Sequence, residues 1–344
     1  MYAPGLGYYV NGSRKFGAQG DFVTAPEISP LFGRTLARWV VAVMRQSASE
    51  VLEFGAGSGA LAADVLNECA ALGCPVDRYR ILDVSPDLHA MQADTLKSRA
   101  PQWFSRVSWE EALPESFSGV VLANEVLDAM PAYLVEWRGD GAEGISERGV
   151  ALDAAGRFFW ADRPASGTLL AAAQALERTH SMPRPYLSEV NLAANAWTAS
   201  VGAMLTQGTA LLIDYGFPAH EFYHPQRDRG TLMCHTRHRA HPDPFDSVGL
   251  TDITTHVDFS AIARAAMEAG LQPLCYTSQA QFLMNGGLVD LLREVPPEQL
   301  PPLSQQVQRL TAPHEMGELF KVLALGRGVE TPPGFERGDR GHRL

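Results

Sequence analysis

No apolar run in this 344-residue chain approaches the roughly 20 residues that a helix needs to cross a bilayer; Trp39–Met44 (WVVAVM) is among the longest. Cysteine is sparse: Cys69, Cys74, Cys234 and Cys275 form no CxxC pair and no zinc-ribbon spacing, which excludes a disulfide framework and the common zinc modules. Positive charge is also short. Against 39 Asp and Glu stand 28 Lys and Arg, a net charge of −11, which argues against a phosphate-backbone partner. An acidic surface suits a basic partner instead, such as an arginine-bearing segment. The opening Met1–Tyr9 (MYAPGLGYY) lacks the basic-then-apolar layout of a signal peptide and the Arg- and Ser-rich look of a transit peptide, so the expectation is a cytoplasmic protein with no membrane insertion and no nucleic-acid partner. What is present is ordinary for a globular chain: 46% hydrophobic and 19% charged residues.

Short apolar runs alternate with helical patterns, the signature of βαβ units. This predicts a doubly wound α/β fold with a mostly parallel sheet. Strands are expected near Glu50–Phe54, Tyr79–Val84, Val107–Trp109 and Gly119–Ala123, with helices near 31–46, 58–73 and 86–98. Ser29 followed by Pro30 supplies an N-cap and a favoured first residue for the first of these helices. Residues 1–30 read as a lid segment and 31–330 as the α/β domain, with insertions at about 139–207 and 216–257. Gly139–Gly149 reads as loop, and 331–344 as a disordered tail.

The run 51–61 (VLEFGAGSGAL) is a strand, a glycine turn and a helix start. Glycines at Gly55, Gly57 and Gly59 let the backbone bend tightly beside a ligand, and the helix N-terminus that follows favours negative charge. Gly55, Gly57 and Ala60 also satisfy the dinucleotide pattern GxGxxG/A, so the glycines do not separate NAD from S-adenosylmethionine. Glu53 discriminates: a dinucleotide fold normally keeps that position apolar, whereas a carboxylate there suits a ligand with a cationic amino group, as in S-adenosylmethionine, the alternative being a capped or salt-bridged strand end. Asp83, ending the second strand, is placed to accept hydrogen bonds from two ribose hydroxyls, a feature common to both cofactors. Glu110 or Glu111, after the third strand, is a candidate to face the adenine amino group.

The run 120–131 (VVLANEVLDAMP) passes from a buried strand into an acidic turn. Ligands of doubly wound sheets bind outside the carboxyl ends of strands near the switch point, which brings Asn124 beside the cofactor and Glu125 and Asp128 beside its reactive end. Two carboxylates suit a guanidinium: arginine stays protonated, and bidentate contacts hold its fork while the free nitrogen is oriented for attack. The alternative is that Glu125 caps the following turn and Asp128 pairs with a structural arginine. Thr24 and Glu27 have the spacing of a capping box, and also of a lid in which Thr24 touches cofactor and Glu27 touches acceptor.

The strings 20–29 (GDFVTAPEIS), the glycine turn, 123–131 (ANEVLDAMP) and 213–216 (IDYG) together resemble the MidA family of S-adenosylmethionine-dependent methyltransferases. Further resemblance lies in 221–232, 252–259, 278–283 and 316–322, so it extends over nearly the whole chain. It implies a class I methyltransferase core, a Rossmann-like and mostly parallel seven-stranded sheet, with insertions. Mitochondrial members assist assembly of respiratory complex I, and the resemblance implies symmetric dimethylation of an arginine on a protein subunit. The family often has Glu at the position of Asp83, which keeps the carboxylate. It also has a helix ahead of the Tyr2–Tyr9 stretch, so a family-like lid is either shortened here or begins upstream.

His235, His238 and His241 recur every third residue, but Pro242 and Pro244 argue for a loop of hydrogen-bonding histidines rather than a metal site. His256 reads either way, and Asp214–Gly216 is a candidate to line the acceptor pocket. The expected function is therefore a protein-arginine N-methyltransferase. Its rivals are an S-adenosylmethionine-binding assembly factor that needs no catalysis and an NAD-dependent oxidoreductase.

Overall fold

The structure, a computed structural model, describes residues 7–8, 23–83, 85–236 and 239–344. Most of the proposed lid, residues 1–6 and 9–22, lies outside the described residues, and with it the first three residues of the string 20–29, as does His238.

After the short helix α1 (Ala25–Ile28), α2 (Pro30–Met44) begins where Ser29 and Pro30 predict it, with the Ser29 hydroxyl accepting from the Leu31 amide at 3.4 Å. The chain then runs β1 (Glu50–Phe54), α3 (Ala60–Ala71), β2 (Arg78–Leu82), α4 (Pro86–Arg99), β3 (Val107–Glu110) and β4 (Phe117–Asn124). These strands pair in parallel in the order β3-β2-β1-β4. The central β4 is covered on both faces and reads as a continuous apolar run, whereas β2 and β3 toward the sheet edge do not. Alternation still assigns each side chain to a face. Val51, Val120 and Leu122 join the core beneath α2 and α3, while Leu52, Val121 and Ala123 join the core on the opposite face.

The first insertion holds β5 (Tyr133–Trp137), β6 (Ile145–Leu152), β7 (Phe158–Pro164), α5 (Gly167–Thr179) and β8 (Tyr186–Val190). The four strands form an antiparallel sheet in the order β7-β6-β5-β8, with its own core of Val135, Trp137, Ile145, Tyr186 and Phe222. The expected loop at Gly139–Gly149 is therefore half strand. Its polar residues are held by pairing across the sheet, where Arg148 bonds Asp162 and Glu136.

From α6 (Leu192–Met204) the chain enters β9 (Leu205–Phe217), which pairs in parallel with β4. A second insertion follows, with α7 (Ala219–Phe222) and strands β10 (Met233–Thr236), β11 (Arg239–His241) and β12 (Asp252–Thr254). These form a three-stranded sheet in place of the expected histidine loop, with Cys234 opposite His241. β13 (Val257–Asp258) rejoins the main sheet beside Gly216 and Phe217. Then come α8 (Phe259–Glu268), β14 (Gln272–Ser278), several short helices and β15 (Phe320–Arg327). β15 lies between β9 and β14, antiparallel to both, and completes a seven-strand path β14-β15-β9-β4-β1-β2-β3.

The tail is not disordered. Phe335 is buried, with its ring centroid 4.9 Å from those of both Trp39 and Phe282, and Asp339 accepts the Tyr276 amide at 2.8 Å. Polar composition suggested a free end; one aromatic side chain and one carboxylate tie it down. Among the described residues, no helix is long and apolar enough to cross a membrane.

Candidate functional site

The switch point lies between β1 and β4, neighbours in the sheet whose chains leave it on different paths. At the end of β1 the backbone turns through three residues with left-handed φ: Gly55 (60°), Gly57 (55°) and Gly59 (84°). A side chain at any of them would be strained, so the sequence spacing of glycines is a statement about backbone conformation. Gly55 and Gly57 line a cavity of about 940 Å³. Gly59 is not among its lining residues; it is the residue where α3 passes close to α4, and a Cβ there would stand 3.1 Å from the Gln92 Cα. Its expected contact with cofactor gives way to a packing role.

Glu53 lines the cavity with its side chain buried, and the Tyr79 hydroxyl donates to its carboxylate at 2.7 Å. Burial pushes its pKa from 4.5 up to about 7, partly opposed by the Tyr79 hydrogen bond and reinforced by nearby Asp83. Asp83, also on the cavity, accepts from the Ser85 amide at 3.1 Å and from the Gln92 side chain at 3.0 Å. Gln92 also donates to the Gly57 carbonyl at 3.1 Å and accepts from the Trp109 indole at 2.8 Å, so one buried amide ties the glycine turn, the end of β2 and β3 together. Sequence reasoning found neither Tyr79 nor Gln92. A tyrosine within a strand and a glutamine within a helix carry no local mark of such a task. Glu110 and Glu111 are not on the cavity, and Glu110 instead lies 3.9 Å from Arg80; Ala112 and Leu113 supply the wall there.

At the end of β4, Asn124, Glu125 and Asp128 all line the same cavity. Glu125 has a left-handed φ of 54°, and its amide donates to the Ile213 carbonyl at 2.8 Å. Its carboxyl accepts from the Asn124 side chain at 3.2 Å. Burial pushes the Glu125 pKa up to about 8, with Asp128 adding repulsion. Burial also pushes Asp128 up to about 6, against a 2.6 Å hydrogen bond from Tyr215 that favours its ionised form. Asp214, expected to line the pocket, is instead buried below it. There it accepts the amides of Leu127 at 3.0 Å and Asp128 at 3.2 Å, holding the acidic turn in place. Tyr215 and Gly216 do reach the cavity. Among the described residues, no arginine or lysine forms an ion pair with Glu125 or Asp128.

Thr24 and Glu27 close the cavity from α1. The capping box does not form, because Thr24 makes no side-chain cap and the Glu27 carboxylate accepts from Ser58 in the glycine turn. The capping alternative falls, and Glu27 instead joins α1 to the glycine turn. Arg227, Asp252, Thr254 and His256 from the second insertion complete the far wall; of these, only His256 was singled out in the sequence.

The model of an S-adenosyl-L-methionine-dependent methyltransferase family matches residues 35–277. The chain belongs to that family. A Burkholderia thailandensis protein whose crystal structure holds S-adenosyl-homocysteine is 50% identical to this methyltransferase, with a TM-score of 0.95 over 100% of this chain and 90% of that one. Mitochondrial protein arginine methyltransferase NDUFAF7 of Rattus norvegicus is 31% identical over 94% of this chain and 78% of its own length. The Drosophila melanogaster homologue is 29% identical over 95% and 79%. The cofactor is thus S-adenosylmethionine and the fold the class I methyltransferase sheet; the dinucleotide reading of the glycines is set aside. The residues present fit that group: a turn of glycines with left-handed backbone leaves room at the cavity wall, which also carries the buried Glu53 and half-buried Asp83 carboxyls.

Proposed function

We propose that this methyltransferase transfers a methyl group to an arginine nitrogen of a protein acceptor. The observation that carries the reading is the pair Glu125 and Asp128: a half-buried and a buried carboxyl on the cavity of the glycine turn, without a cationic partner among the described residues. An ionised carboxylate so placed costs free energy until a cation arrives, which is why both are pushed toward the protonated form. An entering guanidinium supplies that cation, ionises the pair and is held by it in a fixed orientation. Lysine offers one charge without a fork and fits two carboxylates less well. The relatives named as protein arginine methyltransferases point the same way.

When bound, the cofactor supplies an electrophilic methyl group on a sulfonium. In this proposal Glu53 and the turn at Gly55 and Gly57 hold its methionyl end, Asp83 its ribose hydroxyls, and Thr24 and Asn124 flank it. Glu27, clasped to Ser58, shuts the site from the α1 side and keeps water out. A respiratory-complex subunit is the acceptor to try first. The test is label transfer from S-adenosylmethionine into a methylation-depleted lysate of the source organism, with mass spectrometry of the modified residue. Methylarginine is expected; label found on lysine or on a small molecule refutes the proposal.

A further inference from the structure

We propose that His256 is a further catalytic residue, the group that takes the proton shed by the acceptor nitrogen during methylation; the inference rests on the reading above that a nitrogen acceptor enters this cavity. His256 stands between β12 and β13, where the chain returns from the second insertion to the main sheet. Its backbone is fixed on every side. The Thr255 amide donates to the Asp128 carbonyl at 3.1 Å, the His256 amide donates to the Thr231 hydroxyl at 3.0 Å, and Val257 pairs with Gly216. The ring lies 5.2 Å from Tyr215, edge to face, and 5.2 Å from Phe217. Tyr215 is the residue that bonds Asp128, so a single side chain separates the imidazole from the acidic pair.

The Nδ1 of His256 is buried and has no hydrogen-bond partner among the described residues. Buried polar atoms are nearly always satisfied, so an unpartnered ring nitrogen in a residue that lines the cavity leaves hydrogen-bonding capacity for a ligand or water to fill. His256 also lines a second cavity of about 380 Å³, whose walls include His180, Asn191, Asn195 and Asp258.

The chemistry needs such a group. As the acceptor nitrogen forms its bond to the methyl carbon, the carbon–sulfur bond breaks and its electron pair goes to sulfur, which leaves as a neutral thioether. The guanidinium has then gained a second positive charge and loses one N–H proton. Glu125 and Asp128 are poor sinks, because protonating either would break the ion pair that holds the acceptor, and Asp128 is already engaged by Tyr215. The proton passes to the His256 imidazole, giving an imidazolium that later releases it to water. The charges facing the ring are Arg227, from the segment after α7, and Lys321, from β15; Tyr215 and Phe217 face it from β9, and Asp258 follows it in the chain. Burial, reinforced by Arg227 and Lys321, pushes its pKa down to about 4, which keeps the imidazole neutral before transfer and ready to give the proton up afterwards. A weak base suffices because the departing proton of a dication is strongly acidic.

The test compares the full-length protein with His256→Ala and His256→Gln, using labelled S-adenosylmethionine and methylation-depleted lysate. Transfer should fall by about 100-fold or more in both variants, the scale of a lost general base. S-adenosylhomocysteine affinity by calorimetry should stay at the wild-type value, which also certifies the fold. Added imidazole should restore transfer in His256→Ala, where it has room, and not in His256→Gln. In the wild type, nitrogen NMR of the ring should show Nδ1 shifting when S-adenosylhomocysteine and a capped arginine peptide are added together. Transfer near wild type in His256→Ala, recovery by the Gln side chain alone, or a loss that imidazole does not relieve would each overturn the proposal. The labelled residue reports on the acceptor separately: label on lysine would sink the arginine reading, while loss and rescue would still decide His256.

Discussion

Replacing Glu53 with Gln should make the empty protein more stable and the cofactor weaker to bind. Burial raises the Glu53 pKa from 4.5 to about 7. Between these values the folded state holds a proton that the unfolded chain has lost. Stability contributed by this group is therefore whole below about pH 4.5 and is lost as pH rises toward 7. At about 1.4 kcal/mol per unit, the penalty above pH 7 approaches about 3 kcal/mol. Glutamine is isosteric, does not titrate and can still accept the Tyr79 hydroxyl that now lies 2.7 Å from Glu53. Denaturant unfolding of the cofactor-free protein should thus show Glu53→Gln ahead of wild type by up to about 3 kcal/mol near pH 8 and little different near pH 5. Calorimetry should show S-adenosylmethionine affinity reduced in the variant. Wild-type binding near pH 6 should release protons to buffer as Glu53 ionises against the ligand's amino group. A stability difference independent of pH, or a variant less stable near pH 8, would refute the argument that Glu53 is a buried, uncompensated acid kept for its ligand.

Three further outcomes follow from the geometry. Gly57→Val places a β-branched residue at a φ of 55° on the cavity wall and should abolish S-adenosylhomocysteine binding; wild-type affinity by calorimetry would refute the assignment of the turn. Asp128→Asn should leave that affinity intact while slowing methyl transfer by about 100-fold or more, since a neutral amide cannot balance a guanidinium; unchanged transfer would make Asp128 a purely structural partner of Tyr215. Phe335→Ala should destabilise the fold by about 3–5 kcal/mol through the cavity left against Trp39 and Phe282, measured by denaturant unfolding; a change under about 1 kcal/mol would return the tail to the solvent.

The acidic end of the site shows how buried charge is tolerated without a counter-ion. Asp214, at the base of the turn, accepts three backbone amides, those of Leu127, Asp128 and Tyr215. Their partial positive charges satisfy its lone pairs, while the pKa stays raised because burial removes water and Asp128 and Glu125 repel its charge. The turn is thereby held firm while its two upper carboxyls are left for a ligand.

By itself the sequence determined what depends on neighbours along the chain. A continuous apolar run marks β4, covered on both faces, while β1 and β2 show as shorter apolar stretches that Glu53 and Arg80 interrupt. Three glycines within five residues mark a backbone that only glycine adopts without strain. Glu53, Asp83, Glu125 and Asp128 stood out because they lie at the carboxyl ends of strands, where ligands of this fold bind. The tertiary structure decided the rest, where the deciding partner is remote. Gln92 bonds Gly57 and Asp83 from another helix; Glu27 leaves its own helix cap for Ser58; Gly59 packs on α4; Phe335 seats on Trp39, far upstream in the chain. The hairpin of β6 and β7 was hidden because its outward polar residues resemble loop until a paired strand supplies their partners. Local conformation follows from local sterics, but a polar side chain, a cap or a tail takes the partner that folding brings within reach, and pattern along the chain does not record which one that is.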